Sequence, residues 1–293
     1  MNIYNLEKER YPMKFQLSAF ADESSPLIPQ QIDALKRNGY SYLEIRSVGD
    51  KSFNRLTIAE TKEIAKELAD NGIIVKSLGS NIGKIKIDGD FDAHMELYKH
   101  TLEQGNIFGS EMIRLFSFFL PEDQDPAQYK NLVLDRMGLI AETAKQFGIL
   151  ACHEIEKGIY GAVASRCLEI HQAVPEIRGI FDPANYVQCG QDTLEAWDML
   201  HSCIEYMHIK DAKLDGTVVL PGTGDGNVPE IIAKYVAQGG RMFTLEPHLS
   251  EFVGLSELEQ QNNKSLVGHM TFATPEAAFD AAAQNLVKIL NNL

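Results

Sequence analysis

Cysteine is scarce: four residues in 293, Cys152, Cys167, Cys189 and Cys203, with no CxxC pair and no framework spacing. That excludes a disulfide scaffold and suits free thiols in a reducing cytosol. Long hydrophobic runs are missing too. No stretch approaches the roughly 18 apolar residues of a membrane span. Basic charge is short: 27 Lys and Arg against 41 Asp and Glu leave a formal charge of −14. Such a surface repels phosphate backbones and anionic membranes, so neither nucleic acid nor membrane is an expected partner. The first twelve residues, MNIYNLEKERYP, are polar and lack the apolar stretch of a secretion signal. They are expected to form an extension outside the fold, which begins at Met13, and the protein is expected to be cytoplasmic.

What is present is alternation. Short apolar or β-rich runs occur at 14–20, 42–47, 73–80, 112–119, 149–156, 177–183, 204–211 and 241–247. Between and after them lie segments with helical spacing, at 27–39, 58–72, 92–109, 129–148, 163–173, 193–201, 228–239 and 275–292. In IAETKEIAKELADNG (58–72), Ile64, Ala65 and Leu68 form an apolar stripe, Thr57 is placed to cap, and Gly72 stops the helix. No Pro-, Ser- or charge-rich linker divides the chain. Eight β-then-α units predict an α/β fold with parallel strands closed into a single (β/α)8 barrel over residues 13–293, a length such barrels reach as one domain. The stretch 248–274 is too long for an ordinary connection. Its Phe252, Val253, Leu255, Leu266 and Val267 would be left wet by a bare loop, so a homodimer contact is expected there, with a lid over the barrel mouth as the other reading.

A barrel of this kind carries its chemistry at the carboxyl ends of its strands. The seventh run, IEYMHIKDA (204–212), reads as core yet finishes in His208, Lys210 and Asp211. One such histidine is ordinarily structural. Here, however, the fifth strand ends in His153, Glu154 and Glu156, the sixth in Asp182, and the eighth in Glu246 and His248. Glu154, Asp182, His208 and Glu246 therefore lie on four consecutive strands at similar depth. Three carboxylates and an imidazole converging there repel one another unless a cation neutralises them, which predicts one divalent metal ion. Three oxygens and one nitrogen favour Mn²⁺ or Mg²⁺, with Co²⁺, Fe²⁺ or Zn²⁺ also admitted.

Other residues carry two readings each. Arg46 ends the second strand on the same face as Glu44, and serves either an internal Glu44–Arg46 pair or substrate oxygens. GSNIGK (79–84) is one residue short of a phosphate loop and lacks the Ser/Thr, so Lys84 is either solvated or a ligand for a sugar oxygen. GTGDG (222–226) has the wrong spacing for a dinucleotide site and reads as a flexible loop. Glu156 shares parity with Glu154 and is able to support the site or bind substrate. His153 and His248 adjoin proposed ligands and are expected to turn away from the metal into supporting or structural roles. Lys210 and Asp211 are expected just behind the ligands, with Asp211 orienting a neighbour.

The segments FADE (20–23), YLEIRS (42–47), SLGSNIGKI (77–85), HEIEKGIYG (153–161), FDPANYVQCG (181–190), HIKDA (208–212), PGTGDGNVP (221–229) and LEPHL (245–249) resemble the xylose isomerase-like barrel family. Sugar epimerases, sugar-phosphate isomerases and inosose dehydratase belong to that family. The resemblance runs from Met13 to the end. It implies that Glu154, Asp182, His208 and Glu246 bind the metal and that the two glutamates also shuttle protons. Two departures stand out. Asn185 replaces a frequent histidine three residues after the strand-six aspartate, and Lys213 is the nearest cation where epimerases carry arginine. Both positions touch substrate in relatives.

The expected activity is a metal-dependent isomerisation or epimerisation of a sugar, sugar phosphate or related polyol. The metal would stabilise a cis-enediolate while Glu154 and Glu246 work from opposite faces. The alternatives are an inosose dehydratase-like lyase on the same site, a non-catalytic sugar-binding barrel, and an apurinic endonuclease-like phosphodiesterase. The last is opposed by the charge of −14.

Overall fold

The computed structural model describes residues 15–252 and 272–293. The expected extension 1–12 and most of the 248–274 insertion, with Val253, Leu255, Leu266 and Val267, lie outside the described residues. Eight strands, β1 (Gln16–Ala19), β2 (Tyr42–Ile45), β3 (Ile74–Ile82), β4 (Met112–Leu115), β5 (Leu150–Glu154), β6 (Arg178–Phe181), β7 (Ile204–Ile209) and β8 (Met242–Leu245), close into a barrel. Each pairs in parallel with its sequence neighbours, and β1 closes on β8. Around them run α1 (Ile28–Arg37), α2 (Ile58–Asp70), α3 (Phe91–Phe108), α4 (Lys130–Gln146), α5 (Ala164–Ala173), α6 (Pro183–Gln188), α7 (Thr193–Leu200), α8 (Val228–Ala237) and α9 (Pro275–Asn291). Thus the fold is the expected (β/α)8 barrel, with the short α6 as an addition.

Local chemistry explains the boundaries. Thr57 and Glu60 form a reciprocal capping box at the start of α2, and Gly72 leaves that helix at φ 73°, where a side chain would be strained. A short antiparallel ribbon pairs Ser47–Val48 with Lys51–Ser52 after β2. Another hairpin pairs Asp211–Ala212 with Val218–Val219 after β7.

The barrel interior explains where the site lies. Its lower layer includes a buried hydrophobic cluster of Met112, Cys152, Ile180, Tyr206 and Met242, one from each of β4 to β8. Strand side chains alternate with period two, so the next inward positions are Arg114, Glu154, Asp182, His208 and Thr244. One period further come Lys210 and Glu246. The polar layer is therefore the second storey of an apolar barrel, shut off from water below. The outward positions pack under the helices in one large core that includes Leu43, Ile113, Ala151, Phe181, Met207 and Phe243.

Candidate active site

Glu154, Asp182, His208 and Glu246 offer ligand atoms that all lie within 4.8 Å of one another. All four are buried. His208 Nδ1 is 2.7 Å from Glu154 Oε1 and 3.4 Å from Glu246 Oε2, while its Nε2 lies 3.2 Å from Glu44 Oε2. Glu44 is itself held by the Tyr206 hydroxyl, which donates to Oε1 at 3.0 Å. This is the carboxylate–histidine arrangement that fixes an imidazole's tautomer and leaves its other nitrogen to face a metal.

Asp182 divides its two oxygens. Oδ1 accepts the Asn185 N–H at 3.0 Å and so caps α6, whereas Oδ2 faces Lys210 Nζ at 3.0 Å. Asn185 turns its own amide to the Ile155 carbonyl at 2.9 Å and towards Glu154 Oε1 at 3.5 Å. Asp182 Oδ2 and Glu246 Oε2 are buried and accept no hydrogen bond of good geometry, although Lys210 Nζ stands 3.0 Å from the first and 3.6 Å from the second. Two orphaned carboxylate oxygens aimed into one oxygen-rich cluster fit a divalent ion.

Three buried cations thread the acidic layer. The Arg46 guanidinium donates to Asp22 at 2.9 and 3.0 Å, to Glu23 at 3.1 Å and to Glu246 at 3.0 Å. Arg114 Nη1 reaches Glu154 Oε2 at 3.1 Å and Glu246 Oε1 at 3.4 Å, bridging the two glutamates. Lys210 completes the set. Against them stand six buried carboxylates, Asp22, Glu23, Glu44, Glu154, Asp182 and Glu246. Carboxyl groups outnumber these cations, an excess that protons relieve at Glu23 and Asp182 and that a divalent ion would also relieve.

Burial is the largest influence on the titration of these groups; it sets the direction for Asp182 and Glu23, and charged neighbours overturn it for Glu154, Glu246 and His208. Burial pushes Asp182 up to about 7 against the pull of Lys210. It lifts Glu23 to about 8 despite Arg46. Burial would also raise Glu154, but His208 and Arg114 outweigh it and hold the carboxylate below its usual range. Glu246 is held well below that range, burial being overcome by Lys210, His248 and His208. For His208 burial favours the neutral ring, yet Glu154 and Glu44 raise it well above the ordinary histidine value. A proton and a metal ion therefore compete for this imidazole.

The remaining expected residues fall differently. The Glu44–Arg46 pair does not form: Glu44 turns to Tyr206 and His208, and Arg46 to the acids after β1 and β8. Lys210 meets two of the expected metal-holding carboxylates, Asp182 at 3.0 Å and Glu246 at 3.6 Å. His153 does turn away, its Nε2 meeting the Ser117 hydroxyl at 3.0 Å, and burial lowers it to about 3. His248 does not turn away. It stands two residues after Glu246 and so shares its parity, and at φ 47° beyond the end of β8 its Nε2 lies 3.5 Å from Glu23 and 3.7 Å from Glu246.

Lys84 and Glu156 pair with each other at 2.7 Å, with the lysine over the Phe116 ring. Lys213 is exposed on the 211–219 hairpin, where its N–H closes on Thr217, and no ion pair joins it to the quartet among the described residues. Nor is GTGDG loose. Asp211 accepts hydrogen bonds from the N–H groups of Ala212, Gly222, Gly224 and Gly226, fastening the loop.

Sequence reasoning misses Asp22, Glu23 and Arg114 as site residues and gives Glu44 the wrong partner. Parity is the available signal for the strand residues: Arg114 and Glu44 sit on the same inward register as Glu154 and His208.

A family model described as a xylose isomerase-like TIM barrel matches residues 32–266. No curated protein matches the chain. Among solved structures, L-ribulose 3-epimerase superposes with a TM-score of 0.72 at 18% identity, covering 94% of each chain. The IOLI protein with a bound zinc atom superposes at 0.72 and 15% identity, covering 94% of this chain and 98% of that one. A probable 3-DHS dehydratase, AsbF from Bacillus anthracis, gives 0.69 and 16% identity, covering 93% and 98%. At such identities these likenesses speak for the fold alone.

Proposed function

Because the chain belongs to the xylose isomerase-like TIM barrel family, we propose that it is a divalent-metal-dependent isomerase or epimerase of a sugar or related polyol. The observation that carries this reading is the buried quartet Glu154, Asp182, His208 and Glu246, with ligand atoms within 4.8 Å of one another. These four would hold the ion, which supplies Lewis-acid polarisation of a carbonyl and its neighbouring hydroxyl. Asp182 and His208 act mainly as ligands, and Glu44 fixes the His208 tautomer through Nε2.

Glu154 and Glu246 come from β5 and from just after β8, with β6 and β7 between them on the barrel wall, and so flank whatever lies between them. One takes the carbon-bound proton and the other returns a proton on the opposite face. Both are kept ionised by neighbouring cations, which suits a base. Lys210, held by Asp182, is placed to donate to substrate oxygen. Expulsion of a hydroxyl after the same proton removal would make the enzyme a dehydratase, and its product would be lighter by one water.

The test is incubation of Mn²⁺-loaded enzyme with ketoses and keto-inositols in D₂O. Solvent deuterium is expected on the inverted or isomerised carbon, and Glu154→Gln or Glu246→Gln should each lower kcat by roughly 100-fold or more. Product free of solvent deuterium, or near-normal rates in both variants, would refute the reading.

A further inference from the structure

The geometry points to an uncharged substrate: a free ketose or keto-polyol, not a sugar phosphate or sugar acid. This rests on the proposed isomerase reading and names the substrate class of that same site. Barrel enzymes commonly seat phosphate on the loops after strands seven and eight, where backbone N–H groups point at the anion. In this chain, protein carboxylates already take those groups. After β7, the N–H groups of Gly222 and Gly224 both donate to Asp211 Oδ2 at 2.9 Å, and that of Gly226 donates to Oδ1 at 3.0 Å. The loop is wrapped so closely that a Cβ at Gly224 would stand 2.5 Å from Asp211 Oδ1. After β8, the His248 N–H donates to Glu23 Oε2 at 2.6 Å. Among the described residues, the carboxyl groups of Asp211 and Glu23 occupy the seats a phosphate would need.

The cations give the same answer. Arg46 is shared by Asp22, Glu23 and Glu246, Arg114 by Glu154 and Glu246, and Lys210 by Asp182 and Glu246. At the rim, Lys84 is committed to Glu156. Within the buried layer, even with a divalent ion bound, the carboxylates leave no surplus positive charge among the described residues to greet an anionic group. Like charge placed there is strongly disfavoured. Alternating donors and acceptors, by contrast, suit hydroxyls, each of which can donate to a carboxylate and accept from a cation.

The experiment compares matched pairs, such as D-fructose with D-fructose 6-phosphate and D-ribulose with D-ribulose 5-phosphate, on Mg²⁺-loaded enzyme. It reads calorimetric binding alongside solvent-deuterium exchange. The uncharged member of a pair should bind and exchange, with kcat/KM for its phosphate lower by at least roughly 100-fold. A phosphorylated member that binds as well, or reacts faster, overturns the inference and leaves the isomerase reading standing. Binding of the uncharged member without exchange in any sugar supports the inference and sinks the isomerase reading. Binding of neither member in any pair overturns both.

Discussion

Arg114→Met tests the charge balance of the site most directly. Nη1 is the nitrogen that spans Glu154 Oε2 at 3.1 Å and Glu246 Oε1 at 3.4 Å, and the side chain is buried. Methionine keeps much of the volume and removes the charge, leaving two buried carboxylates facing each other. Removing one partner of a buried ion pair costs about 3–5 kcal/mol. That cost should fall on the metal-free protein. With a divalent ion held by the same carboxylates, most of the lost compensation is restored and the penalty should shrink to about 1–2 kcal/mol.

The two numbers are linked: stability lost without metal and regained with it must reappear as metal affinity. A difference of about 2 kcal/mol is roughly a 30-fold tighter Mn²⁺ site in the variant. Urea unfolding of both proteins with chelator and with excess Mn²⁺, together with a Mn²⁺ titration, closes the cycle. Equal destabilisation with and without metal, or weaker Mn²⁺ binding in the variant, would show that the ion does not sit against these glutamates.

Two further predictions concern groups around that layer. Glu44→Gln removes the carboxylate behind His208 Nε2 and should weaken Mn²⁺ binding about 10- to 100-fold, less than His208→Ala; unchanged retention on metal analysis after dialysis would remove Glu44 from the site. His94 and His171 are each brought down to about 4, His94 by burial and then by Arg136, His171 by burial and then Arg178 against its bond to Ile177. Below the ordinary 6.5 the unfolded chain takes up protons that the folded one refuses, so stability should fall as pH drops from 6.5 to 4, by roughly 3 kcal/mol per histidine. Urea midpoints across that range should show a shallower slope in His94→Gln plus His171→Gln, and an unchanged slope would refute the assignment.

Composition and periodicity alone determined the barrel and which strand ends carry its acids and histidine. Eight apolar runs alternating with helical stripes leave few architectures open, and each of the last four runs ends in its polar residue because barrel strands deliver chemistry at their carboxyl ends. The quartet was legible because its members occupy consecutive strands, so adjacency in space comes from order in sequence. What only the tertiary structure decided is which charges meet across the barrel. Arg46 lies 200 residues from Glu246 and 24 from Asp22, and nothing local favours those partners over Glu44, two positions away. Closure of β1 on β8 brings them together. His248 lies two positions after Glu246, so parity alone placed it on the side of the acids, while its left-handed φ of 47° is a backbone choice that no spacing announces. Asp211 reads as a strand-end acid in sequence, and becomes an anchor for three glycine amides only once the chain after its hairpin folds back onto it. Strand order is written locally; the pairing of buried charges depends on which side chains the closed barrel leaves without water, and they must satisfy one another there.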